Sequence, residues 1–267
     1  MAMIAFEAVT KTYGIPGSRR PTLDAVDVHI EPGEFVLLTG PSGSGKTTML
    51  NLMLALERPD TGTVLVGGRD VHRLTGGSLP FLRRNFGVVY QELGLVPEVS
   101  VRENVRWAVE VQELKRRVVR ARTQVALELL QLAEVAELPV GGLSSDIQQR
   151  VAIARALAGE PAIVLADEPT SALDGHYAHL VLDLFARLAS RGTTVVLASR
   201  SPLVTGYARA GRVLQLRDGK LRPTARTVIH EFNSVRDFTA IKSESSESSE
   251  SSATSMTSMT SMTSASE

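Results

Sequence analysis

One glycine-rich segment carries residue types suited to binding phosphate. The run Gly-Pro-Ser-Gly-Ser-Gly-Lys-Thr at 40–47, the phosphate loop, fits the pattern G-x-x-x-x-G-K-[ST], whose backbone N–H groups converge on nucleotide phosphates. The Lys46 ammonium suits the β- and γ-phosphates, and the Thr47 hydroxyl suits Mg²⁺, which needs few protein ligands. The segment therefore predicts a site for a nucleoside triphosphate with magnesium. The residues expected to bind the nucleotide here are Ser42, Gly43, Ser44, Gly45, Lys46, Thr47 and Thr48.

Two adjacent carboxylates form the second chemical feature. Asp167 and Glu168 follow an apolar run at 162–166, whose length suits a buried strand. Ligands of α/β proteins lie at the carboxyl ends of the sheet strands, so this position favours a site. Asp167 is expected to hold the Mg²⁺ shell, and Glu168 to polarise the attacking water as a general base. Together with the phosphate loop, the pair predicts hydrolysis of the terminal phosphate.

Hydrophobic periodicity predicts the elements that position these side chains. Alternating residues indicate half-buried antiparallel strands at 4–13 and 23–30, before and after a loop at 14–21. Further strands are expected at 34–39, 63–66, 86–91, 162–166, 193–198 and 212–216. Helices are expected at 46–56, 101–138 with a break near 114–117, 147–158 and 174–190. Alternating strands and helices predict an α/β fold with a mostly parallel core sheet, an antiparallel β subdomain and an inserted α-helical subdomain at about 95–158.

The composition limits the class of partner. The chain has 267 residues with a formal net charge of zero, which gives no electrostatic argument for nucleic acid or an anionic membrane as main partner. It has no cysteine, which excludes disulfides, thiol catalysis and cysteine-based zinc sites. Residues 1–13 lack the layout of a signal peptide, and no run of about 18 apolar residues occurs. We therefore expect a cytoplasmic protein that reaches a membrane through a partner.

The composition changes at residue 243. Residues 243–267 are almost entirely Ser, Glu, Thr and Met, too polar to bury enough apolar surface to offset the entropy of ordering. We expect a folded domain at 1–242 followed by a disordered tail. Both a passive tail and a phosphorylated or partner-binding tail agree with this composition.

The two motifs and their neighbours resemble the ABC ATPase family over about residues 3–220. The resemblance implies a P-loop NTPase fold that binds ATP and Mg²⁺. It also implies three further roles: Tyr13 stacks on adenine, Gln91 contacts Mg²⁺ or the lytic water, and Asp174 lies in a loop that crosses an ATPase dimer interface. Within the family, the segment 78–84 and the run through the phosphate loop most resemble FtsE-type cell-division subunits, and LolD- and MacB-type ATPases are close alternatives. This implies an integral membrane, FtsX-like partner, and a homodimer or heterodimer of ATPase subunits at the inner face of the cell membrane.

Two positions depart from the family pattern. The family's Leu-Ser-Gly-Gly-Gln is Leu-Ser-Ser-Asp-Ile at 143–147. Ser144 keeps a hydroxyl for the γ-phosphate of the opposite subunit, but the Asp146 carboxylate replaces a glycine, and we expect it to repel phosphate. Arg200 replaces a histidine; it has donors only and is a catalytic candidate that binds phosphate. The departures favour either a specialised ATPase, with Asp146 and Arg200 paired across the dimer interface, or a slow or inactive one.

Three functional hypotheses follow. The first is an ATPase subunit that couples ATP-driven dimerisation and reduced hydrolysis to a transmembrane partner. The second is a regulatory module that binds ATP without hydrolysing it. The third is a soluble ATPase that acts on nucleic acid or ribosomes, against which stand the single ATPase copy and the lack of a basic face.

Overall fold

A computed structural model describes residues 1–14, 21–207 and 211–223. The strands are β1 (Ile4–Lys11), β2 (Leu23–Ile30), β3 (Phe35–Thr39), β4 (Thr61–Val66), β5 (Arg69–Asp70), β6 (Phe86–Val89), β7 (Ile163–Asp167), β8 (Thr194–Ser199), β9 (Arg212–Arg217) and β10 (Lys220–Pro223). The helices are α1 (Lys46–Met53), α2 (Ser78–Arg83), α3 (Val101–Glu110), α4 (Arg116–Leu129), α5 (Ser145–Ala158), α6 (Gly175–Ser190) and α7 (Pro202–Thr205). The predicted tail at 243–267 and the domain limit at 242 lie outside the described residues.

The strands form two sheets. The larger has the order β10-β9-β3-β8-β7-β6, and all its neighbours are parallel except β10 and β9. The smaller has the order β2-β1-β4-β5 and is antiparallel. The predicted α/β fold, with a mostly parallel core sheet and a separate antiparallel sheet, is confirmed.

Burial on both faces explains the continuous apolar runs of the central strands. Every residue of β3, β7 and β8 is buried, as expected for parallel strands covered by other elements on each side. Successive side chains enter different cores because strand side chains alternate between faces. Leu37 packs in a cluster with residues of α3, α5 and α6, and Leu38 packs in one with residues of α1 and the antiparallel sheet.

The parallel register brings the carboxyl ends of the central strands together. Thr39 at the end of β3 is paired with Ser199 at the end of β8, and Asp167 of β7 is paired with Ala198. The phosphate loop follows Thr39, Glu168 follows Asp167, and Arg200 follows Ser199. Three segments distant in sequence therefore begin at one edge of the sheet.

The helical region between β6 and β7 agrees with the predicted insertion in its main features. Helices α3 and α4 are separate, which matches the predicted break near 114–117, and two short 3-10 turns at Ala133–Val135 and Val140–Gly142 precede α5. Helix α5 begins at Ser145, two residues earlier than predicted, because the Ser144 side chain accepts a hydrogen bond from the Ile147 N–H and so caps it. The sequence reasoning missed β5, α2, α7 and β10.

Candidate active site

The phosphate loop connects β3 to α1. Its backbone depends on glycine: Gly40 has φ 152° and Gly45 has φ 104°, and a Cβ at Gly40 would lie 2.3 Å from the Leu216 carbonyl oxygen. At Gly43, by contrast, a Cβ would meet no atom within 4 Å, so this side of the loop is open. Such an open turn at the start of a helix suits a phosphate group.

Two side chains of the loop have polar atoms available to a phosphate. The buried Lys46 bends back so that Nζ donates to the carbonyl oxygens of Gly40 at 2.9 Å and Pro41 at 3.0 Å. The Ser44 hydroxyl is buried and has no hydrogen-bond partner among the described residues. Since an unpaired buried hydroxyl is costly, a bound phosphate oxygen would be a favourable partner for Ser44.

The phosphate loop contacts the end of β7 directly. Thr47 Oγ1 donates a 2.6 Å hydrogen bond to Asp167 Oδ2. Burial raises the pKa of Asp167, and the Glu168 charge adds to this, while the Thr47 hydrogen bond and the Lys46 charge oppose it. This hydroxyl–carboxylate pair fits Mg²⁺, a hard cation that takes oxygen ligands and keeps waters. No group of three or more His, Asp or Glu residues that could hold a metal occurs in the described ranges.

Glu168 occupies a strained position next to Asp167. Its φ is 49°, a left-handed conformation that is unfavourable for a residue with a Cβ. Its carboxylate is held from two sides: Oε2 accepts from Ser199 Oγ at 2.7 Å, and Oε1 accepts from the Arg200 N–H at 3.0 Å. It borders a cavity of about 520 Å³ that is also lined by Thr170, Gly175 and Arg200. A carboxylate fixed at the wall of a cavity is suited to act as a general base.

Arg200 has a largely exposed side chain, and its Nε lies 3.9 Å from Glu168 Oε1. The predicted catalytic arginine therefore lies beside the predicted base.

Ser199 was missed by the sequence reasoning, which ended the preceding strand at 198. A hydroxyl at the end of an apolar strand adjacent to β7 is the signal that points to it.

The predicted adenine-stacking residue lies against α1. Tyr13 is 42% exposed, and its hydroxyl lies 3.2 Å from Thr48 Oγ1 and donates to the Glu57 carboxylate. Burial, with Glu57 contributing, raises the pKa of the Tyr13 hydroxyl. The Thr48 side chain is buried, and its hydroxyl contacts Tyr13. Glu57 is a further polar residue that no sequence motif indicated.

The remaining predicted site residues lie at the start of helices or beyond a strand. Ser144 caps α5, and Asp174 caps α6 through a 2.8 Å hydrogen bond from the Tyr177 N–H. Gln91 is exposed two residues beyond β6 and makes no hydrogen bond in the part of the chain that the structure describes. Among the described residues, none of these three side chains forms a hydrogen bond with the carboxylate pair of its own chain.

Asp146 has a partner in its own helix. Its Oδ2 accepts from Arg150 Nη2 at 3.1 Å and Nε at 3.2 Å. The expected repulsion of phosphate is therefore reduced, because a neighbouring cation offsets the carboxylate charge. The hypothesis of an Asp146–Arg200 pair across a dimer interface stays untested; within one chain each residue contacts a different group.

Fold and site together define a P-loop nucleotide hydrolase: a phosphate loop follows the central parallel strand β3, and an Asp-Glu pair lies at the end of β7, which β8 separates from β3. Residues 23–171 match the ABC transporter family. The chain belongs to this family as an ATP-binding subunit with an ATPase site, as its motifs predicted.

Several characterised relatives support this assignment. The chain is 40% identical over 219 residues to the cell division ATP-binding protein FtsE of Mycobacterium tuberculosis, covering 82% of this chain and 94% of that protein. It is 37% identical over 217 residues to FtsE of Bacillus subtilis, covering 81% and 93%. It is 39% identical over 220 residues to the macrolide export ATP-binding/permease protein MacB of Hyphomonas neptunium, covering 82% of this chain but 34% of that protein.

A solved structure agrees with the fold. The dimeric structure of the ATP-binding cassette MJ0796, in a post-hydrolysis state bound to ADP and Pi, is similar with a TM-score of 0.78 and 34% identity, covering 86% of this chain and 100% of that chain. Among the described residues, no helix combines the length and apolar character that a bilayer crossing needs. These relatives favour the membrane-complex hypothesis over the regulatory and nucleic-acid alternatives.

Proposed function

We propose that this chain binds ATP with Mg²⁺, hydrolyses it within a dimer of ATPase subunits, and transmits the resulting motion to an FtsX-like integral membrane partner. The observation that carries the proposal is the convergence at one sheet edge of the Thr47–Asp167 hydrogen bond and the fixed Glu168 carboxylate. Two relatives are FtsE proteins, and the MacB relatives join an ATP-binding part to a permease in one chain. The MacB relatives thus support a permease as the kind of partner, and this chain matches about a third of the MacB protein of Hyphomonas neptunium.

Each residue has a definite part in the proposed reaction. Backbone amides at 42–48 bind the phosphates, and Lys46 exchanges its carbonyl partners for phosphate oxygens. Thr47, Asp167 and Gln91 would hold Mg²⁺, which when bound neutralises charge on the phosphate oxygens. Glu168 orients the attacking water and accepts its proton at a carboxylate oxygen. Arg200 donates to the charge that develops on the terminal phosphate.

A second subunit completes the proposed site. Ser144 at the start of α5 and Asp174 at the start of α6 form no hydrogen bond with the carboxylate pair of their own chain in the described residues. We assign both to the interface with another subunit, as the family resemblance implies. The cavity beside Glu168 has room for such a segment, with a volume of about 520 Å³. In a dimer, each of the two nucleotide sites would be completed by residues of the other subunit. A homodimer would carry Asp146 at both of these sites, whereas a heterodimer with a related subunit would carry it at one.

A groove beside Gln91 is the proposed partner surface. The groove has a volume of about 330 Å³ and lies between β6, α3 and α5. Tyr90 and Val111 line it and remain exposed, and Arg155 crosses it to donate to the carbonyl oxygen of Gly94 at 2.6 Å. We therefore assign partner contact to this groove, where β6 meets a helical subdomain proposed at about 95–158 within a 1–242 domain. By analogy with FtsE, the chain would lie on the cytoplasmic face of the membrane, attached through its partner.

Turnover measurements on the purified chain, alone and with its membrane partner, test this function. Glu168→Gln is expected to lower ATP turnover by about 10²- to 10⁴-fold, because the general base is lost, while ATP binding persists. Lys46→Ala is expected to abolish saturable, Mg-dependent ATP binding. Glu137→Gln changes an exposed carboxylate of the helical region and is the control, expected to alter neither.

Two outcomes would contradict the proposal. Equal inactivity of the wild type and Glu168→Gln, with ATP still bound by both, would leave a regulatory module that does not hydrolyse ATP. Unchanged ATP binding by Lys46→Ala would remove the nucleotide site itself.

A further inference from the structure

We propose that Glu57 is a positioning residue for the base of the bound nucleotide and that it acts through Tyr13; this inference rests on the proposed nucleotide site. Glu57 follows α1 and belongs to neither sequence motif. Its carboxylate accepts a hydrogen bond from the Tyr13 hydroxyl and one from Asn51 Nδ2 at 2.9 Å. The Tyr13 hydroxyl also lies 3.2 Å from the buried Thr48 hydroxyl of α1. The edge of the aromatic ring is thereby fixed to the helix that leads out of the phosphate loop.

The ring is also supported on a face. Lys11 Nζ lies 5.4 Å from the centroid of the Tyr13 ring and is itself held by the Arg58 carbonyl oxygen at 2.7 Å. Tyr13 nevertheless remains 42% exposed, so part of the residue is accessible to a base. A ring restrained at its edge and backed by a cation loses less freedom when a base stacks on it, so restraint favours binding. Because Thr48 directly follows Thr47, the same contacts fix the ring relative to the phosphate-binding residues.

Loss of the Glu57 carboxylate would act on the base and leave the phosphates unaffected. Glu57 forms no hydrogen bond with residues 40–47 in the described structure, so the geometry of the phosphate loop does not depend on it. Without Glu57 the Tyr13 hydroxyl keeps the Thr48 contact alone, and the ring gains freedom that nucleotide binding must then remove. A lost hydrogen bond of this kind corresponds to about a three- to tenfold weaker affinity.

Dissociation constants for ATP and for inorganic tripolyphosphate, each with Mg²⁺, test the inference on the full chain. Glu57→Ala and Tyr13→Phe are each expected to raise the dissociation constant of ATP three- to tenfold and leave that of tripolyphosphate unchanged. The double variant should bind ATP no more weakly than Tyr13→Phe alone, because Tyr13→Phe already removes the contact with Glu57. Glu57→Gln should recover most of the affinity, since its amide oxygen still accepts from Tyr13. In turnover assays KM should rise while kcat stays constant.

The matched control is Glu137→Ala, which removes an exposed carboxylate that accepts from Arg102 Nε at 2.6 Å. It should change neither dissociation constant. Additive losses in the double variant, equal weakening of tripolyphosphate, or unchanged ATP affinity in Glu57→Ala would overturn the inference. Lys46→Ala separates the two proposals: if it abolishes ATP binding while Glu57→Ala has no effect, the role of Glu57 fails and the nucleotide site stands.

Discussion

The two neighbouring carboxylates at the end of β7 have different surroundings, and their proposed roles follow from that difference. Asp167 is 6% exposed and takes its hydrogen bond from the Thr47 hydroxyl. Glu168 is fixed by Ser199 and the Arg200 N–H, in a backbone conformation that stores strain. A buried carboxylate beside a hydroxyl suits a divalent cation, and a fixed carboxylate facing a cavity suits proton transfer. Such strained and buried polar positions reduce stability and occur where function requires them.

Asp167→Asn is expected to stabilise the nucleotide-free protein by roughly 0.5–2 kcal/mol at pH 7 and to remove the Mg²⁺ dependence of ATP binding. Burial raises the pKa of Asp167, so its charged form is disfavoured in the folded protein. Between the ordinary aspartate pKa and the raised value the folded protein binds the extra proton, so the stability of the wild type falls as the pH rises through this window. The stability gained by Asp167→Asn should be complete above the raised pKa of Asp167. It should vanish below the ordinary pKa of aspartate.

Urea unfolding of the wild type and Asp167→Asn between pH 3 and 8 measures how the stability gain depends on pH. ATP titration with and without Mg²⁺ measures the Mg²⁺ dependence of ATP binding. A gain that is independent of pH, or a Mg²⁺ response that persists in the variant, would contradict the role of Asp167.

At the scale of elements, one buried arginine connects three helices. Arg150 of α5 pairs with Asp146 in the same helix. Its Nη1 donates to the carbonyl oxygen of Leu130 at the end of α4. Its Cζ lies 4.4 Å from the centroid of the Tyr177 ring in α6. Ser144 caps α5 and Asp174 caps α6, so the loop that carries Ser144 and the loop that carries Asp174 are connected through the Arg150 side chain. The carboxylate at 146 therefore supports the helical region.

Arg150→Met is expected to lower the free energy of unfolding by about 2–3 kcal/mol. Breaking a fully buried ion pair typically costs about 3–5 kcal/mol, and the cost here is smaller because Asp146 is partly exposed. The loss arises because the carboxylate and the carbonyl oxygen at the end of α4 lose their donor. The control is Arg102→Met, whose partner Glu137 is largely exposed, with an expected change of about 0–1 kcal/mol. Urea denaturation measures both changes, and equal effects in the two variants would show that Arg150 does not connect these helices.

At the scale of the whole molecule, the parallel sheet separates two kinds of surface. Its carboxyl edge carries the phosphate loop, Asp167, Glu168 and Arg200. The groove between β6, α3 and α5 has two exposed large apolar residues in its lining, Tyr90 and Val111, together with polar side chains such as Arg155. Gln91 lies at the end of β6, next to the groove residue Tyr90. The proposed partner surface and the proposed hydrolytic residues therefore adjoin neighbouring strands, β6 and β7, which are directly paired.

Val111→Glu in the groove is expected to abolish co-purification of the FtsX-like partner while the isolated chain keeps its ATP turnover within about twofold. Burying an unpaired carboxylate against the partner would be costly, whereas Val111 is 54% exposed in the free chain and tolerates a charge there. Val125→Glu is the matched control, because this valine of α4 is 62% exposed and does not line the groove. Equal loss of the partner in both variants, or its retention in Val111→Glu, would contradict the assignment of the groove.

The sequence by itself determined the chemistry of the phosphate loop, the Asp-Glu pair and the order of the principal strands and helices, because motif spacing and hydrophobic periodicity are local properties. It missed α2, which has no buried residue and hence no apolar periodicity, and the two-residue strand β5. Only the tertiary structure decided that Ser199 holds Glu168, that Glu57 holds Tyr13 and that Arg150 joins three helices. Each of these contacts depends on strand register and helix packing, which bring together side chains from separate elements and leave no local pattern in the chain.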